Sequence, residues 1–361
     1  MSWLFKLRGD VPKKWRWILE LSGIGLILCV WFFLTSGMDP IMMPSVLPHP
    51  MKVLTAFGEL YQENNLIQNM FKSIGFNLAG YVKAMLFTLP LGFLIGLYPL
   101  FKGMYQRTID AVRFVPLAAT TGLFIVWFGI GTPMKVNFLA FGILIFLLPV
   151  VVQRINEVKG VYLKTVYTIG ATDWQTIKSV YIPSVMSRLI DDVRVMTAIS
   201  WTYIVVAEGI GSEGGLGAMI FRVGQRQGRV DKTFAVLLLI ILIGIIQDRI
   251  FVRLDKELFP HKYQIKEQYS RGLKRPSLWD SIFDFGFKTL TWVGLAMYLV
   301  LALNEIFNFI GVKVLDYLFG DTCWVVHVIL IGIILYKGRK AISKHADSIT
   351  QNKLNKSESV S

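Results

Sequence analysis

The sequence predicts an all-α fold, a polytopic bundle of transmembrane helices. Apolar residues fill 54% of the 361 positions, charged residues fill only 17%, and the mean hydropathy is +0.53. Values of this kind are typical of integral membrane proteins and exclude an ordinary soluble globule. Long apolar stretches recur along the chain between polar or basic segments, so we expect several crossings of the bilayer.

Eight apolar stretches are candidate membrane spans. In chain order they are Ile18–Leu34, Ile74–Leu97, Phe114–Ile130, Val136–Val152, Val193–Val206, Phe234–Ile246, Leu290–Leu303 and Trp324–Tyr336. The first four have the length of a spanning helix, whereas the last four fall short of the ~17–20 apolar residues that a bilayer requires. Those four must recruit flanking polar residues or lie inside a bundle.

The distribution of lysine and arginine predicts the orientation of the chain. With the N-terminus inside, the inside segments are 1–17, 99–111, 153–190, 253–288 and 337–361. These segments hold 26 Lys and Arg residues, whereas the outside segments 37–70, 131–135, 209–232 and 307–321 hold 7. Because positive charge accumulates on the cytoplasmic side of membrane proteins, both termini are expected in the cytoplasm. The basic start of the chain has no clear cleavage site after its apolar run, which indicates an uncleaved signal anchor.

The segment 164–183, KTVYTIGATDWQTIKSVYIP, is neither a span nor a simple polar connector. Its apolar residues follow helical spacing on two faces, namely Leu163, Val166, Tyr167 and Gly170 on the first and Trp174, Ile177 and Tyr181 on the second. Gly170 suits a left-handed helix end. Thr172 or Asp173 can cap the second helix, which Pro183 closes. The pattern predicts a cytoplasmic helix–turn–helix whose apolar side needs a protein partner.

The spacing within this segment resembles a known family. Gly170 is followed by nine residues and then by Val180, one residue, Ile182 and Pro183. This arrangement resembles the cytoplasmic EAA loop of binding-protein-dependent ABC importer permeases. The string Gly170-Ala171-Thr172-x-Trp174 resembles the GAS-x-W form of the nitrate/taurine/sulfonate branch.

The resemblance implies that the loop 156–190 couples this chain to a separate ABC ATPase. The residues that it assigns to this coupling are Lys164, Thr165, Val166, Gly170, Ala171, Thr172, Asp173, Trp174 and Pro183. The acidic-Ala-Ala triplet of the family is absent, and Lys164-Thr165-Val166 stands in its place. Any ion pair that a glutamate would make with the ATPase is therefore missing.

Further strings between about residue 18 and Tyr263 are similar to the same branch. They lie at 47–54, 90–96, 127–131, 207–208 and 215–217, and are similar to its LPSP-x-x-VL, P-L-G-x-x-x-G, WFGIG, Ala-Glu and GLG strings. Gly92 and Gly96 also form a small-xxx-small face, which favours close helix packing.

The stretch Val193–Glu208 is unusually polar for a span. Polar groups at membrane depth face a bundle interior or a water path, so we place this helix on the translocation pathway. The predicted pathway residues are Arg194, Thr197, Ser200, Thr202, Tyr203 and Glu208. For Glu208 the alternative is a solvated helix end.

The outside loop after this helix holds a cluster of positive charge. Its glycines at 211–217 do not form a nucleotide loop, because they follow a span and lack a βαβ setting. Arg222, Arg226 and Arg229 are interpreted as a docking site for an acidic face of a substrate-binding protein, or as a means of concentrating an anionic solute. The alternative is a solvated polar loop.

The predicted domain organisation has four parts. They are a basic cytoplasmic N-terminus at 1–17, a permease core at 18–263, a basic linker with a C-terminal transmembrane hairpin at 264–336, and a disordered cytoplasmic tail at 337–361. The core corresponds to the roughly six helices of a type I ABC importer permease. The hairpin lies beyond the resemblance, and the sequence assigns it no function.

Motifs for several other kinds of chemistry are absent from the sequence. It contains no G-x-x-x-x-G-K-[ST] loop, no H-E-x-x-H and no paired-cysteine metal site, and no disulfide is predicted between Cys29 and Cys323. We therefore expect neither an enzyme nor a metal or cofactor in this chain, with ATP bound by a partner subunit. Because the basic residues are scattered between apolar spans, the net charge of +14 does not indicate nucleic-acid binding.

The resemblance implies a permease subunit of an ATP-driven importer. Its implied partners are ABC ATPase subunits, an extracytoplasmic substrate-binding protein and a second copy of the permease. The expected solute is a small oxyanion such as nitrate, a sulfonate, taurine or bicarbonate, and the alternative solute is a heterocyclic vitamin precursor. An ion-coupled secondary transporter and a structural membrane scaffold are alternatives from other classes.

Overall fold

The computed structural model describes residues 11, 13–37, 40–210, 214–260, 262, 278–307, 309 and 311–339. Within these ranges every regular element is helical and no strand occurs, which confirms the all-α prediction. The basic linker after 263, the tail after 339 and most of the N-terminal basic segment lie outside the described residues. The predicted disorder of the tail stays a prediction.

The helices are numbered in chain order. The first six are α1 Lys13–Thr35, α2 Pro50–Glu63, α3 Leu66–Leu97, α4 Pro99–Val112, α5 Thr121–Phe128 and α6 Thr132–Asn156. They are followed by α7 Gly160–Thr168, α8 Asp173–Thr176, α9 Ile182–Glu208, α10 Leu216–Met219 and α11 Val230–Leu258. The C-terminal part contributes α12 Leu278–Phe307, α13 Val314–Phe319 and α14 at 323–339.

Contacts divide the chain into two units. The first comprises Met1–Leu66 with Ala218–Ile243, and the second comprises Ile67–Gly217 with Gly244–Ser361. These boundaries differ from the predicted domains, which were drawn from sequence resemblance and span composition.

In the first unit, the amphipathic helix α2 buries one side. Val53, Ala56 and Leu60 lie on that side and are almost completely buried. The chain before α2 is held to α1, since the Trp31 indole Nε1 donates a hydrogen bond to the carbonyl of Pro48 at 2.9 Å.

In the second unit, α3 packs closely on α6. A Cβ atom built on Gly92 would lie 2.5 Å from Val151, and one built on Gly96 would lie 2.6 Å from Ile155. Only glycine permits this approach, so the predicted packing role of the two residues is confirmed.

Five helices are long and apolar enough to cross a membrane, judged by length and composition within the described residues. They include Ile18–Thr35, Leu66–Leu97, Thr132–Asn156, Val230–Leu258 and Val314–Arg339. A sixth crossing arises if the pair Pro99–Val112 and Leu117–Phe128, bent by 96°, counts as one span.

The prediction of one straight span at Phe114–Ile130 is wrong. Residues 99–111, predicted as a connector, lie within helix α4, which ends before Pro116. Proline disfavours helical conformation in the residue before it and lacks an N–H donor, so the chain breaks there. It resumes as a short 3₁₀ turn at Leu117–Thr120 followed by α5.

The later helices are longer than their apolar stretches because they recruit polar residues. Helix α11 runs to Leu258, past the predicted end at Ile246, and includes Asp248. Arg194 of α9 forms an ion pair with this carboxylate, which offsets the cost of both charges near the apolar region. The charges at the start of α9 also explain why it fails the composition test for a span.

Candidate coupling surface and buried polar cluster

The coupling segment, residues 156–190, folds as the predicted helix–turn–helix. Helix α7 ends at Thr168, and Gly170 adopts a left-handed conformation with φ +79°. The Ala171 N–H donates to the Val166 carbonyl at 3.1 Å across this turn. A side chain at position 170 would be strained, so glycine is required here.

Thr172, one of the two predicted caps, caps the second helix. Its hydroxyl accepts a hydrogen bond from the Gln175 N–H at 3.4 Å, and the Gln175 side chain accepts one from the Thr172 N–H at 2.8 Å. This reciprocal capping box stabilises the helix start. Asp173 follows in the first turn, where its carboxylate accepts from the Tyr167 hydroxyl at 3.2 Å.

The prediction that Pro183 closes this helix is wrong. A π turn at Ile177–Tyr181 follows α8, and the Ile182 N–H donates back to the Ile177 carbonyl. Pro183 then lies in the first turn of α9, where its missing N–H removes no intrahelical bond and its fixed φ suits a helix. The chain therefore stays helical from Asp173 to Glu208.

The coupling segment exposes a set of large apolar side chains. The exposed fraction is 69% for Trp174, 79% for Ile169 and 70% for Val161, and α7 buries none of its residues. Tyr167 is also exposed, whereas Leu163 and Val166, predicted on the same face, are half-buried. Three exposed lysines border this surface: Lys159, Lys164 and Lys178.

An ion-pair cluster joins the two ends of the coupling segment. The Arg154 guanidinium donates to both Asp192 oxygens at 2.7 Å and to Glu157 at 2.8 Å, while Arg188 lies 3.4 Å from Glu157. The bond from Arg154 holds the pKa of the Glu157 carboxyl below its usual range. The cluster ties the end of α6 to the first turns of α9, and the sequence reasoning missed it.

The structure does not bring the six predicted pathway residues onto one surface. Thr197 and Ser200 are buried, and Ser200 exchanges hydrogen bonds with the Asn77 amide of α3 at 3.0 and 3.3 Å. Arg194 is paired with Asp248. Thr202 is exposed on the opposite side of α9, and Tyr203 is half-buried.

Glu208 is fully buried, so the alternative of a solvated helix end is wrong. Its carboxylate accepts hydrogen bonds from the Ser73 hydroxyl at 2.6 Å and from the Gly217 N–H at 2.8 Å. The Leu216 N–H donates to Ser73 at 2.8 Å, and the Gly215 N–H donates to the Asn69 side chain at 2.8 Å. We call this arrangement of α3, the end of α9 and the turn 214–217 the Glu208 cluster.

A buried lysine completes the charge balance of the Glu208 cluster. Lys135, assigned from the sequence to an outside connector, lies in the first turn of α6 and is fully buried. Its charge acts favourably on Glu208, and its ammonium lies 4.9 Å from the centre of the Phe76 ring. Buried opposite charges require such pairing. The lysine's place beside a polar loop gave no sign of this burial.

Of the three outside arginines, the structure engages Arg229 in structural ion pairs. Its guanidinium lies 2.7 Å from both Glu59 of α2 and Asp231. The hydrogen bond from Arg229 keeps the pKa of the Glu59 carboxyl below its ordinary value. Arg222 and Arg226 are exposed.

Comparison with known proteins agrees with the fold and the loop. Residues 88–260 match the family model "Binding-protein-dependent transport system inner membrane component". The taurine transport system permease protein TauC of Escherichia coli K12 is 27% identical over 59% of this chain and 80% of its own length. The putative aliphatic sulfonates transport permease protein SsuC of Bacillus subtilis 168 is 29% identical over 67% of this chain and 86% of its own.

A solved structure of the MetNI methionine ABC transporter, in inward facing conformations, is 18% identical, covers 54% of this chain and 95% of the matched chain, and has a TM-score of 0.49. Together with the multi-pass helical fold, the family model and the two relatives assign this protein. The chain belongs to the family of inner membrane components of binding-protein-dependent transport systems, and is an ABC importer permease similar to the taurine and sulfonate members.

Proposed function

We propose that this chain forms the pore of an ATP-driven importer for a small sulfonate-type anion such as taurine. The observation that carries the proposal is the coupling segment, whose large apolar residues are exposed on a rigid helix–turn–helix. The relatives TauC and SsuC, by name taurine and aliphatic sulfonate permeases, support this solute class. The chain itself performs no bond chemistry in this proposal, and ATP is bound and hydrolysed by a partner subunit.

In the proposed mechanism, ATPase closure pulls on the coupling segment and moves the spans between inward-open and outward-open states. Trp174 and Ile169 would insert into an apolar groove of the ATPase, a helix-in-groove contact. The Arg154 cluster would transmit the movement, because it fixes the coupling segment to both α6 and α9. Two copies of the chain would enclose the pore, and a substrate-binding protein would deliver the solute.

Contacts within the second unit agree with cytoplasmic termini. Gln68 at the start of α3 donates to the Tyr317 carbonyl at 3.0 Å, and both residues are predicted near the outer surface. The Tyr336 hydroxyl donates to the Glu257 carbonyl at 3.2 Å, and both are predicted near the inner surface. The coupling segment then lies in the cytoplasm, where an ATPase acts.

The proposal is tested by purifying the permease with a tagged ATPase and measuring ATP hydrolysis in lipid nanodiscs with the binding protein. We expect co-purification, and hydrolysis that rises with taurine or another sulfonate. Uptake driven by an ion gradient without ATP would instead indicate a secondary transporter. A complex that moves no solute would indicate a scaffold, and stimulation only by a heterocyclic compound would replace the solute class.

Replacing Arg154 by glutamine should weaken coupling. Loss of the guanidinium frees Asp192 and Glu157, so the segment moves without moving α9. We expect solute-stimulated hydrolysis to fall about tenfold, as for ~1.4 kcal/mol of lost coupling energy, with ATPase binding retained. The exposed Arg107 of α4, replaced in the same way, is the control. Equal activity of both variants would contradict the role of the cluster.

Reversing charge at Arg222 and Arg226 should lower uptake. If these exposed arginines meet an acidic face of the binding protein, glutamates there would slow its association, most strongly at low salt. Binding-protein titrations should show a several-fold higher half-saturating concentration with the maximal rate unchanged. Arg229 is excluded from this test because its ion pairs hold α2. Unaltered titration curves would remove the docking assignment.

A further inference from the structure

The C-terminal hairpin, α12 to α14, packs against one side of α3. Phe319 of α13 meets Phe71 edge-on, with ring centres 5.3 Å apart, and the Tyr317 carbonyl accepts from Gln68. Gly75 continues this side, and a methyl group there would overlap the Thr322 hydroxyl. Glycine therefore lets the hairpin approach the backbone of α3.

The same stretch of α3 holds the Glu208 cluster on its other side. Asn69 and Ser73 bind the turn 214–217 and Glu208. In a helix of 3.6 residues per turn, the positions 68, 71 and 75 lie more than 100° away from 69 and 73. One helical segment is thus gripped by the hairpin on one side and supports the buried carboxylate on the other.

The hairpin also contacts the start of α6. Asp321 accepts a hydrogen bond from the Thr132 hydroxyl at 3.0 Å. Thr132 lies in the first turn of α6, three residues before Lys135, which pairs electrostatically with Glu208. The short segment Tyr317–Thr322 therefore touches both helices that carry partners of Glu208.

The hairpin has a packed core of its own, so it can act as a rigid body. Tyr298, Leu315, Phe319 and Val326 are buried together. The Tyr298 hydroxyl lies 2.8 Å from the His327 Nδ1, which joins α12 to α14 by a hydrogen bond. An extension that was only an added membrane anchor would not need this core or the close approach at Gly75.

We propose that the C-terminal hairpin is a fixed support that positions the outer ends of α3 and α6 and thereby keeps the Glu208 cluster closed. Tyr317, Phe319, Asp321 and Thr322 are the positioning residues. The hairpin lies beyond the part of the chain that matches the family model, which ends at residue 260. The inference concerns the chain's own conformation and stands independently of the solute and the ATPase.

The test is to push the hairpin away by replacing Gly75 with leucine. The reporter is a cysteine introduced at Leu216, which is completely buried, in a chain with Cys29→Ser and Cys323→Ser. Maleimide labelling of this cysteine measures opening of the cluster. We expect labelling to accelerate at least about tenfold in the Gly75→Leu variant, because access to a buried group follows local opening. A Gly332→Leu variant, whose added side chain meets no neighbour within 4 Å at Cβ, is the control within the hairpin.

An unchanged labelling rate in the Gly75→Leu variant would overturn the proposal. If this variant does not reach the membrane, Phe319→Ala in the same assay removes the contact with Phe71 and must give the same acceleration. Failure of the proposed transport function would leave the labelling result intact, since labelling needs neither solute nor ATP.

A covalent lock separates a fixed support from a moving part. The Thr322 Cβ lies 3.3 Å from an ideal Cβ at position 75, close to the spacing that a disulfide needs. The pair Gly75→Cys and Thr322→Cys, oxidised in the membrane, should therefore retain solute-stimulated hydrolysis within about twofold of its reduced form, since a fixed contact loses nothing by being locked. Activity that is lost on oxidation and returns with reductant would show that the hairpin must move, and would refute the fixed support.

Discussion

Replacing Trp174 by alanine is expected to abolish most of the solute-stimulated ATP hydrolysis while the permease still folds and inserts. The Trp174 side chain is 69% exposed and buries little within its own chain, so its removal costs little stability. A buried aromatic anchor at an interface typically contributes about 2–4 kcal/mol, which corresponds to roughly 30- to 1,000-fold weaker docking. The measurement is ATPase co-purification together with hydrolysis in nanodiscs.

The matched control for this experiment is Trp292→Ala. Trp292 of α12 is 55% exposed and lies in the hairpin, away from the coupling segment in sequence. Both variants lose the same side chain, so only a docking role separates them. Normal ATPase recovery with the Trp174 variant would show that the coupling segment is not the docking site.

Replacing Glu208 by alanine is expected to destabilise the permease more than any other single change considered. The carboxylate accepts two hydrogen bonds in a fully buried site, and its removal leaves Lys135 buried without its main counter-charge. Breaking one side of a buried pair costs about 3–5 kcal/mol. We expect a loss of several degrees in thermal unfolding in detergent and a low yield of folded protein.

A double substitution distinguishes charge pairing from packing at this site. Glu208→Gln keeps the size of the side chain but leaves the lysine charge, whereas Glu208→Gln with Lys135→Gln removes both charges. If pairing dominates, the double variant is more stable than the sum of the two single effects predicts. Additive losses would mean that the two charges act independently.

The local structure of the coupling segment could be predicted from the sequence because it depends on nearby residues. The left-handed Gly170 and the Thr172 cap both follow from backbone preferences within one turn. The continuation through Pro183 could not be predicted, because the wide turn before it supplies a proline-compatible start that no local signal announces.

The buried polar residues could not be assigned from the sequence because their environment is set by distant partners. Glu208 and Ser73 are separated by 135 residues, and Arg154 meets Asp192 across 38 residues. Polarity within α9 indicated a water path, yet the buried Thr197 and Ser200 are satisfied by their own helix and by α3. Composition shows that such groups need partners and does not show which ones.

The π turn at Ile177–Tyr181 sets the angular phase between the docking face and the long helix that it drives. Each π turn accommodates one more residue than an α turn, which shifts the azimuth of everything after it by about 100°. Because the backbone remains helical through Pro183, torque applied at Trp174 enters α9 as rotation as well as displacement. A chain with identical side chains and one residue fewer at this point would turn its pore helix toward a different neighbour.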